Sequence, residues 1–244
     1  MITTNAGIEE VTRLEILERI GMKVVPCIEP EHVTVKPWGC LGRVLIYRPS
    51  HSLSDGVQAT AASGTGKLVE PQLEELLLQL RSVHDVIWLH KVLPLPTTDD
   101  PALALYEALR MASLDDGGPV PPLCGGLRSF RVSCVREGEH PFTSLDIERE
   151  VGGALHELYG ARADMKRFAL RVRADVAVSH LLLGTAINRE PLSKRHKLVF
   201  TRSVTLKPNV AYALLALGRC TKGARLLDPC CGCGTIPLEV RCVS

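Results

Sequence analysis

Near its end the chain reads Leu226-Leu227-Asp228-Pro229-Cys230-Cys231-Gly232-Cys233-Gly234-Thr235, and no other stretch narrows the choice of fold as far. The apolar run Ala224 to Leu227 predicts a brief strand, the two glycines a tight turn, and Thr235 onward the start of a helix. Strand, glycine turn and helix together form the opening of a nucleotide-type βα unit. Gly232 and Gly234 carry no Cβ, so backbone N–H groups there can come close to a ligand. The dinucleotide fingerprint would need a third glycine, which is missing, and an acid, Asp228, closes the strand. A carboxylate at that position repels phosphate but can hold an ammonium group. Upstream, Pro208 to Leu217 predicts a short apolar helix with proline in its first turn.

The net charge of +2 conceals an uneven distribution. Residues 1–127 hold ten basic against sixteen acidic side chains, 128–205 fourteen against nine, and 206–244 five against two. The cationic half is therefore the second, where a polyanionic partner is expected. The sign changes close to Asp115-Asp116-Gly117-Gly118-Pro119-Val120-Pro121-Pro122-Leu123-Cys124-Gly125-Gly126. That segment of turn formers predicts a linker or long surface loop, so two independent signals put a boundary near residue 125. Hydrophobic content of 45% with 23% charge excludes a chain disordered throughout. No apolar run is long enough for a membrane span and no signal peptide opens the chain, which predicts a protein of the cell interior. Nine cysteines, four of them at Cys220, Cys230, Cys231 and Cys233, do not resemble a secreted disulfide framework; reduced thiols are expected.

Before the boundary, helices are expected at Ile8–Ile20, where apolar residues recur every third position, at Gln72–Leu80 and at Pro101–Met111. Strands are expected at Gly42–Arg48 and Val83–Val92. After it, Phe130, Val132 and Cys134 alternate with polar neighbours as in a half-buried strand. Thr143 with Asp146 has the spacing of a capping box, Ile147, Val151, Ala154, Leu155 and Leu158 that of a helix face, and Gly160 that of a helix stop. A further strand runs Phe168, Leu170, Val172 with Arg167, Arg171 and Arg173 on the other face, and Val176 to Leu183 supplies more sheet.

The motif Leu227-Asp228-Pro229-x-Cys231-Gly232-x-Gly234-Thr235-Ile236 resembles the first motif of the methyltransferases that follow a THUMP domain and modify tRNA on guanine N2. Leu206-Lys207-Pro208 and its helix resemble the element preceding that motif. Phe130 to Leu155 and Arg167 to Arg195, ending Pro191-Leu192-Ser193-Lys194-Arg195, resemble a THUMP domain, and Thr3 to Glu10 the start of the ferredoxin-like domain that accompanies it. The resemblance implies an α/β protein: a ferredoxin-like α+β domain with linker at 1–124, a THUMP RNA-binding domain at 125–203, and the first βα element of a Rossmann-like methyltransferase domain at 204–244. It implies S-adenosyl-L-methionine as cofactor, with Asp228, Gly232 and Gly234 lining its amino-acid end and Pro229, Cys231 and Thr235 shaping the turn. It further implies tRNA as partner, an activator subunit as a second one, and cytoplasmic residence, with the nucleus as the alternative. Arg171, Arg173, Lys194, Arg195 and Lys197 are the expected phosphate contacts. Two positions depart from the pattern: 230, usually aromatic, and 233, usually small and polar, are both cysteine. The family's catalytic Asp/Asn-Pro-Pro-aromatic tetrapeptide does not occur in the 244 residues. The resemblance places it beyond Ser244, so no catalytic residue is assigned and this stretch of chain is expected to be a catalytically incomplete fragment.

Two other classes of function stay open at this stage. One is an RNA-binding module without catalysis. The other is a thiol redox protein using the C-x-x-C of Cys230 and Cys233, since a helix N-terminus lowers thiol pKa. No second ligand pair accompanies these cysteines, so no metal is expected. Ser63-Gly64-Thr65-Gly66-Lys67-Leu68 fails as a phosphate loop, because Ala61 stands where its first glycine belongs and Leu68 where Ser or Thr would hold magnesium. His140 and His156 are expected in structural or surface roles.

Overall fold

The computed structural model describes residues 1–23, 34–37, 42–47, 70–95, 128–177, 180–196 and 200–243. The helix expected at 101–111, the loop at 63–68, the linker at 115–126 and Ser244, beyond which the catalytic tetrapeptide is expected, lie outside the described residues. The chain divides into two compact units, one made of residues 1–86 with 190–244 and the other of 87–189.

The first unit runs β1 (Ile2–Thr4), α1 (Glu9–Lys23), β2 (Thr34–Pro37), β3 (Arg43–Tyr47), α2 (Glu70–Leu78) and the start of β4 (Val83–Pro94). β1 lies between β3 and β4, antiparallel to both, with Ile2 opposite Val44 and Val86, and β2 flanks β3. The order β2-β3-β1-β4 combined with βαββαβ succession is the ferredoxin-like arrangement that the family resemblance implies, with β1 and β2 not read from local pattern. Ile2 and Val44 are fully buried, which accounts for the central position of a strand only three residues long. Gly42 enters β3 at φ 73°, and a Cβ there would stand 2.8 Å from the Thr4 carbonyl oxygen. Its N–H donates to Glu9 Oε1 at 2.5 Å, tying the first turn of α1 to the sheet.

Helix α1 does not bury the face expected from its apolar residues. Thr12, Glu15 and Ile16 are buried, whereas Leu14 is 53% exposed. At 3.6 residues per turn, positions three apart drift about 60° at each step, so Ile8, Val11, Leu14, Leu17 and Ile20 cannot share one side. Glu15 is buried because it has donors: its carboxylate accepts from the N–H of Arg81 at 2.8 Å, and from the N–H of Ser82 at 3.0 Å and its hydroxyl at 2.6 Å.

The second unit takes in β4 from Ile87 on, β5 (Ser129–Ser133), β6 (Arg136–Glu137), α3 (Ser144–Tyr159), β7 (Arg162–Ala163), β8 (Leu170–Ala177) and β9 (His180–Ala186). β4 and β8 both pair antiparallel with β9, while β5 and β6 pair parallel with β8, and β7 pairs parallel with β5. The capping box of α3 is formed: the Thr143 N–H donates to Asp146 Oδ2 at 2.8 Å, and the Asp146 N–H returns to Thr143 Oγ1 at 3.3 Å. Gly160 closes the helix at φ 63°. Ile147, Val151, Ala154 and Leu155 are buried in one core with Phe130, Val172 and Val176, but Leu158 in the last turn is 41% exposed. The His156 ring lies 2.8 Å from the Ala161 carbonyl oxygen, a structural contact at the end of the helix. The Cys134 thiol is pushed up to about 11 by burial and by Asp175, so it stays protonated and unreactive.

In the first unit, α4 (Pro208–Leu217) and α5 (Thr235–Val243) follow a single 3-10 turn, Leu192–Lys194. The strand expected at Ala224–Leu227 is not formed. These residues form no regular element and have no ladder partners among the described residues, and Leu227 is 87% exposed. β-structure needs a neighbouring strand to satisfy its backbone, and local propensity cannot supply one.

Gly184 in β9 lies so close to the backbone of Trp88 in β4 that a Cβ would overlap the Trp88 carbonyl oxygen. Gly184→Ala is therefore expected to separate β4 from β9 and destabilise the second unit by about 1–3 kcal/mol, read as a lower urea midpoint. An unchanged midpoint would show that the strands adjust at no cost.

Candidate functional site

The glycine turn opens α5 as the sequence implies. Gly232 and Gly234 have φ of 54° and 79°, a region that residues with a Cβ avoid, and nothing stands within 4 Å of a Cβ built on Gly234. The Gly234 N–H donates to the Cys231 carbonyl at 2.8 Å, and the Gly234 carbonyl accepts the Leu238 N–H at 3.0 Å, which starts the helix. Asp228, half-buried, accepts the Cys230 N–H on Oδ1 at 3.1 Å, folding the carboxylate over the entry to the turn. Pro229, Cys230 and Cys231 are exposed, and Cys233 Sγ lies 3.3 Å from Thr205 Oγ1. Cys134, Cys220, Cys230, Cys231 and Cys233 are free thiols. Among the described residues no group of three His, Cys, Asp or Glu could hold a metal.

The turn fits the amino-acid end of S-adenosyl-L-methionine in three respects. It is open above its glycines, it carries one carboxylate, and it contains a hydroxyl, Thr235 Oγ1, that is buried without a hydrogen-bond partner.

A group that the sequence reading missed fixes α5. Glu239, fully buried, receives Arg81 Nε at 2.6 Å on one carboxylate oxygen and lies 2.6 Å from His196 Nε2 on the other. Arg195, beside His196, donates to the Leu80 carbonyl at 3.1 Å and the Arg81 carbonyl at 2.8 Å. An acid between the apolar positions Leu238 and Val240 was the available signal. Its partners, far away in the sequence, could not be read from it.

Of the expected phosphate contacts, Arg171 and Arg173 belong to the second unit, and Lys194 and Arg195 to the first. Arg171 and Arg173 are 9% and 7% exposed, and Arg173 is bound to the buried Asp175 through Nη2 at 2.7 and 2.9 Å. Arg195 is occupied with backbone carbonyls, Lys194 stands exposed, and Lys197 lies outside the described residues.

The architecture is that of an α/β protein in which a ferredoxin-like unit and a second β-rich unit precede a glycine turn of nucleotide type. The family model for the THUMP domain matches residues 119–185, and that for the RMKL-like methyltransferase domain matches residues 195–243. The chain thus carries a match to a THUMP domain followed by a match to a methyltransferase domain, and it is similar to proteins that combine the two. The tRNA (guanine(6)-N2)-methyltransferase of Thermus thermophilus is 40% identical over 185 residues, which is 76% of this chain and 52% of that protein. The human tRNA (guanine(6)-N(2))-methyltransferase THUMP3 is 36% identical over 111 residues, 45% of this chain and 22% of the relative. The chain thus spans about half the length of the bacterial relative and less than a quarter of the human one. The crystal structure of TrmN from Thermus thermophilus superposes with a TM-score of 0.64 at 36% identity, covering 99% of this chain and 60% of that one. SMU.472, solved with SAH, shares the fold at a TM-score of 0.60 and 17% identity, covering 98% of this chain and 54% of its own.

Glu239→Ala leaves Arg81 without its carboxylate and is expected to destabilise the first unit by about 3–5 kcal/mol in urea denaturation. Glu239→Gln, which keeps the shape and one acceptor, should cost visibly less. Equal losses for the two variants would mean that packing, and not the ion pair, holds α5.

Proposed function

We propose that the chain serves an S-adenosyl-L-methionine-dependent methyltransferase that forms N2-methylguanosine in tRNA. The observation that carries this reading is the Asp228–Thr235 turn, open above Gly232 and Gly234 and capped by a carboxylate at the start of α5. Within the 244 residues, Asp228 would bind the cofactor's ammonium group and the backbone at Gly232 and Gly234 would approach its amino-acid end. Pro229, Cys231 and Thr235 would shape the turn. When bound, the cofactor supplies an activated methyl group. What this chain contributes is the placement of that group relative to the RNA.

We assign the functional modules as an N-terminal ferredoxin-like part at 1–124, a THUMP part at 125–203 and a catalytic part from 204 onward, whose Asp/Asn-Pro-Pro-aromatic tetrapeptide would follow Ser244. The family match at 119–185 and the names of the relatives support this division and tRNA as the partner. Lys194 and Lys197 are assigned to phosphate contacts, Arg171 and Arg173 to the framework of the second unit and Arg195 to that of the first. Among the described residues no helix is long and apolar enough to cross a membrane, and cytoplasmic residence is part of the proposal.

A second reading, RNA binding without catalysis, draws on the THUMP match at residues 119–185 taken by itself. Calorimetric titration of the chain with S-adenosyl-L-methionine separates the two. Saturable binding is expected, weakened about tenfold or more by Asp228→Ala, because a charge-assisted ammonium–carboxylate contact is worth at least about 1.4 kcal/mol. Binding of tRNA with no uptake of the cofactor would overturn the methyltransferase reading for this chain and leave the RNA-binding module.

A further inference from the structure

Three thiols, Cys230, Cys231 and Cys233, stand in the turn that opens α5, and binding of the cofactor does not call for all of them. Cys231 belongs to the motif that the family resemblance implies, whereas Cys230 and Cys233 are the two positions where this chain departs from it. Cys230 is exposed, so a small oxidant can reach it, and Cys233 is half-buried; both are free thiols. Among the described residues no group of three His, Cys, Asp or Glu could hold a metal, so the arrangement is not that of a metal centre. Two thiols separated by two residues at the start of a helix have the spacing of a dithiol–disulfide pair.

Each of the two residues also holds part of the cofactor turn in place. The Cys230 N–H donates at 3.1 Å to Oδ1 of Asp228, the carboxylate assigned to the cofactor's ammonium group. Cys233 Sγ lies 3.3 Å from Thr205 Oγ1, and Thr205 gives its own hydroxyl hydrogen to the Arg202 carbonyl at 2.7 Å. The Cys233 thiol is therefore the donor in its contact with Thr205, and a disulfide sulfur has no hydrogen to give. Between the two cysteines the backbone has room to rearrange. Gly232 sits at φ 54°, and a Cβ built on it would meet only the Cys230 carbonyl oxygen, at 3.9 Å. A bond between the neighbours Cys230 and Cys231 is disfavoured, because consecutive Cα atoms lie about 3.8 Å apart and a disulfide usually spans at least about 4.4 Å.

We propose that Cys230 and Cys233 form an oxidisable dithiol that reacts with a small hydroperoxide and whose disulfide closes the cofactor turn. This rests on the S-adenosyl-L-methionine reading of the Asp228–Thr235 turn. The Cys230 thiolate attacks a peroxide oxygen, the O–O bond breaks, and water leaves with a proton from solvent, so that Cys230 carries a sulfenic acid. The Cys233 sulfur then attacks the Cys230 sulfur; the S–O bond breaks, the S–S bond forms, and the hydroxyl leaves as a second water with the Cys233 proton. The two thiols give up two electrons and two hydrogens, and hydrogen peroxide becomes two waters. The new bond draws Cys233 off Thr205 and the Cys230 N–H off Asp228, so the carboxylate loses the contact that folds it over the turn. Excess thiol reverses the reaction by exchange.

The test uses the full chain, either reduced or treated with hydrogen peroxide and then freed of it. After alkylation of the remaining thiols, the tryptic peptide 226–241 of the oxidised chain should lack two hydrogens and carry the alkyl group on Cys231 alone. In calorimetric titration with S-adenosyl-L-methionine, oxidation should weaken binding about tenfold or more, and dithiothreitol should restore it. Cys230→Ser should bind the cofactor as reduced wild type does and keep that affinity after peroxide. Cys233→Ser, whose hydroxyl can still donate to Thr205, should do the same. A peptide without a disulfide, or with one that includes Cys231, overturns the pair. A Cys230–Cys233 disulfide with unchanged affinity overturns the closure, and so does a loss of affinity that persists in Cys230→Ser, since other cysteines then cause it. If reduced wild type takes up no cofactor, the methyltransferase reading falls and the closure with it; if it binds and oxidation changes nothing, the closure alone falls. Should Cys233→Ser bind weakly when reduced, Cys230→Ser decides by itself.

Discussion

Three consecutive residues between α2 and β4 carry much of the first unit. Leu80, Arg81 and Ser82 present two N–H groups and a hydroxyl to Glu15, a guanidinium to Glu239 and two carbonyls to Arg195. Both carboxylates are buried, and a buried carboxylate without donors would cost several kcal/mol. With donors from one short turn, each carboxylate fits only one arrangement of the chain. Helix α1 is held there through Glu15, α5 through Glu239 and the segment before α4 through Arg195. The glycine turn that opens α5 thus takes its place from Arg81, far off in the sequence.

The candidate site divides into a part that is local and a part that is not. The turn itself is local: positive φ at Gly232 and Gly234 and the Asp228 bond to the Cys230 N–H are properties of a few adjacent residues. What lies beneath it, the Glu239–Arg81–His196 cluster, is not. The same distinction explains residues 224–227. Their apolar character suits a strand, but a strand exists only beside another, and Leu226 and Leu227 remain exposed among the described residues.

The arginines show how alternation can be read correctly and still mislead. Period two along β8 separates Arg171 and Arg173 from Val172, and the structure keeps that separation. Yet Val172, Arg173, Ala174, Asp175 and Val176 are all buried, so both faces of the strand are covered. Alternation states that two faces differ; it does not state that either is wet. Arg173 is neutralised within its own strand by Asp175, two residues on. On the β7–β8 loop, by contrast, Asp164 organises the backbone and pairs with Arg162 at 3.3 Å, while Lys166 and Arg167 stand exposed.

By itself the sequence determined what depends on neighbours along the chain. That includes the capping box at Thr143 and Asp146, the stop at Gly160, the proline start of α4 and the glycine turn before α5; strands β1 and β2 were not legible in it. Covalent proximity supplies both partners of each such interaction. Tertiary structure alone decided which face of α1 is buried, why Glu15 and Glu239 are tolerated inside, that 224–227 forms no ladder, and which cations remain at the surface. Each of those depends on donors, strands or covering layers brought from elsewhere in the chain. Burial of a charge is settled by the partner that meets it, and the residue's own identity does not name that partner.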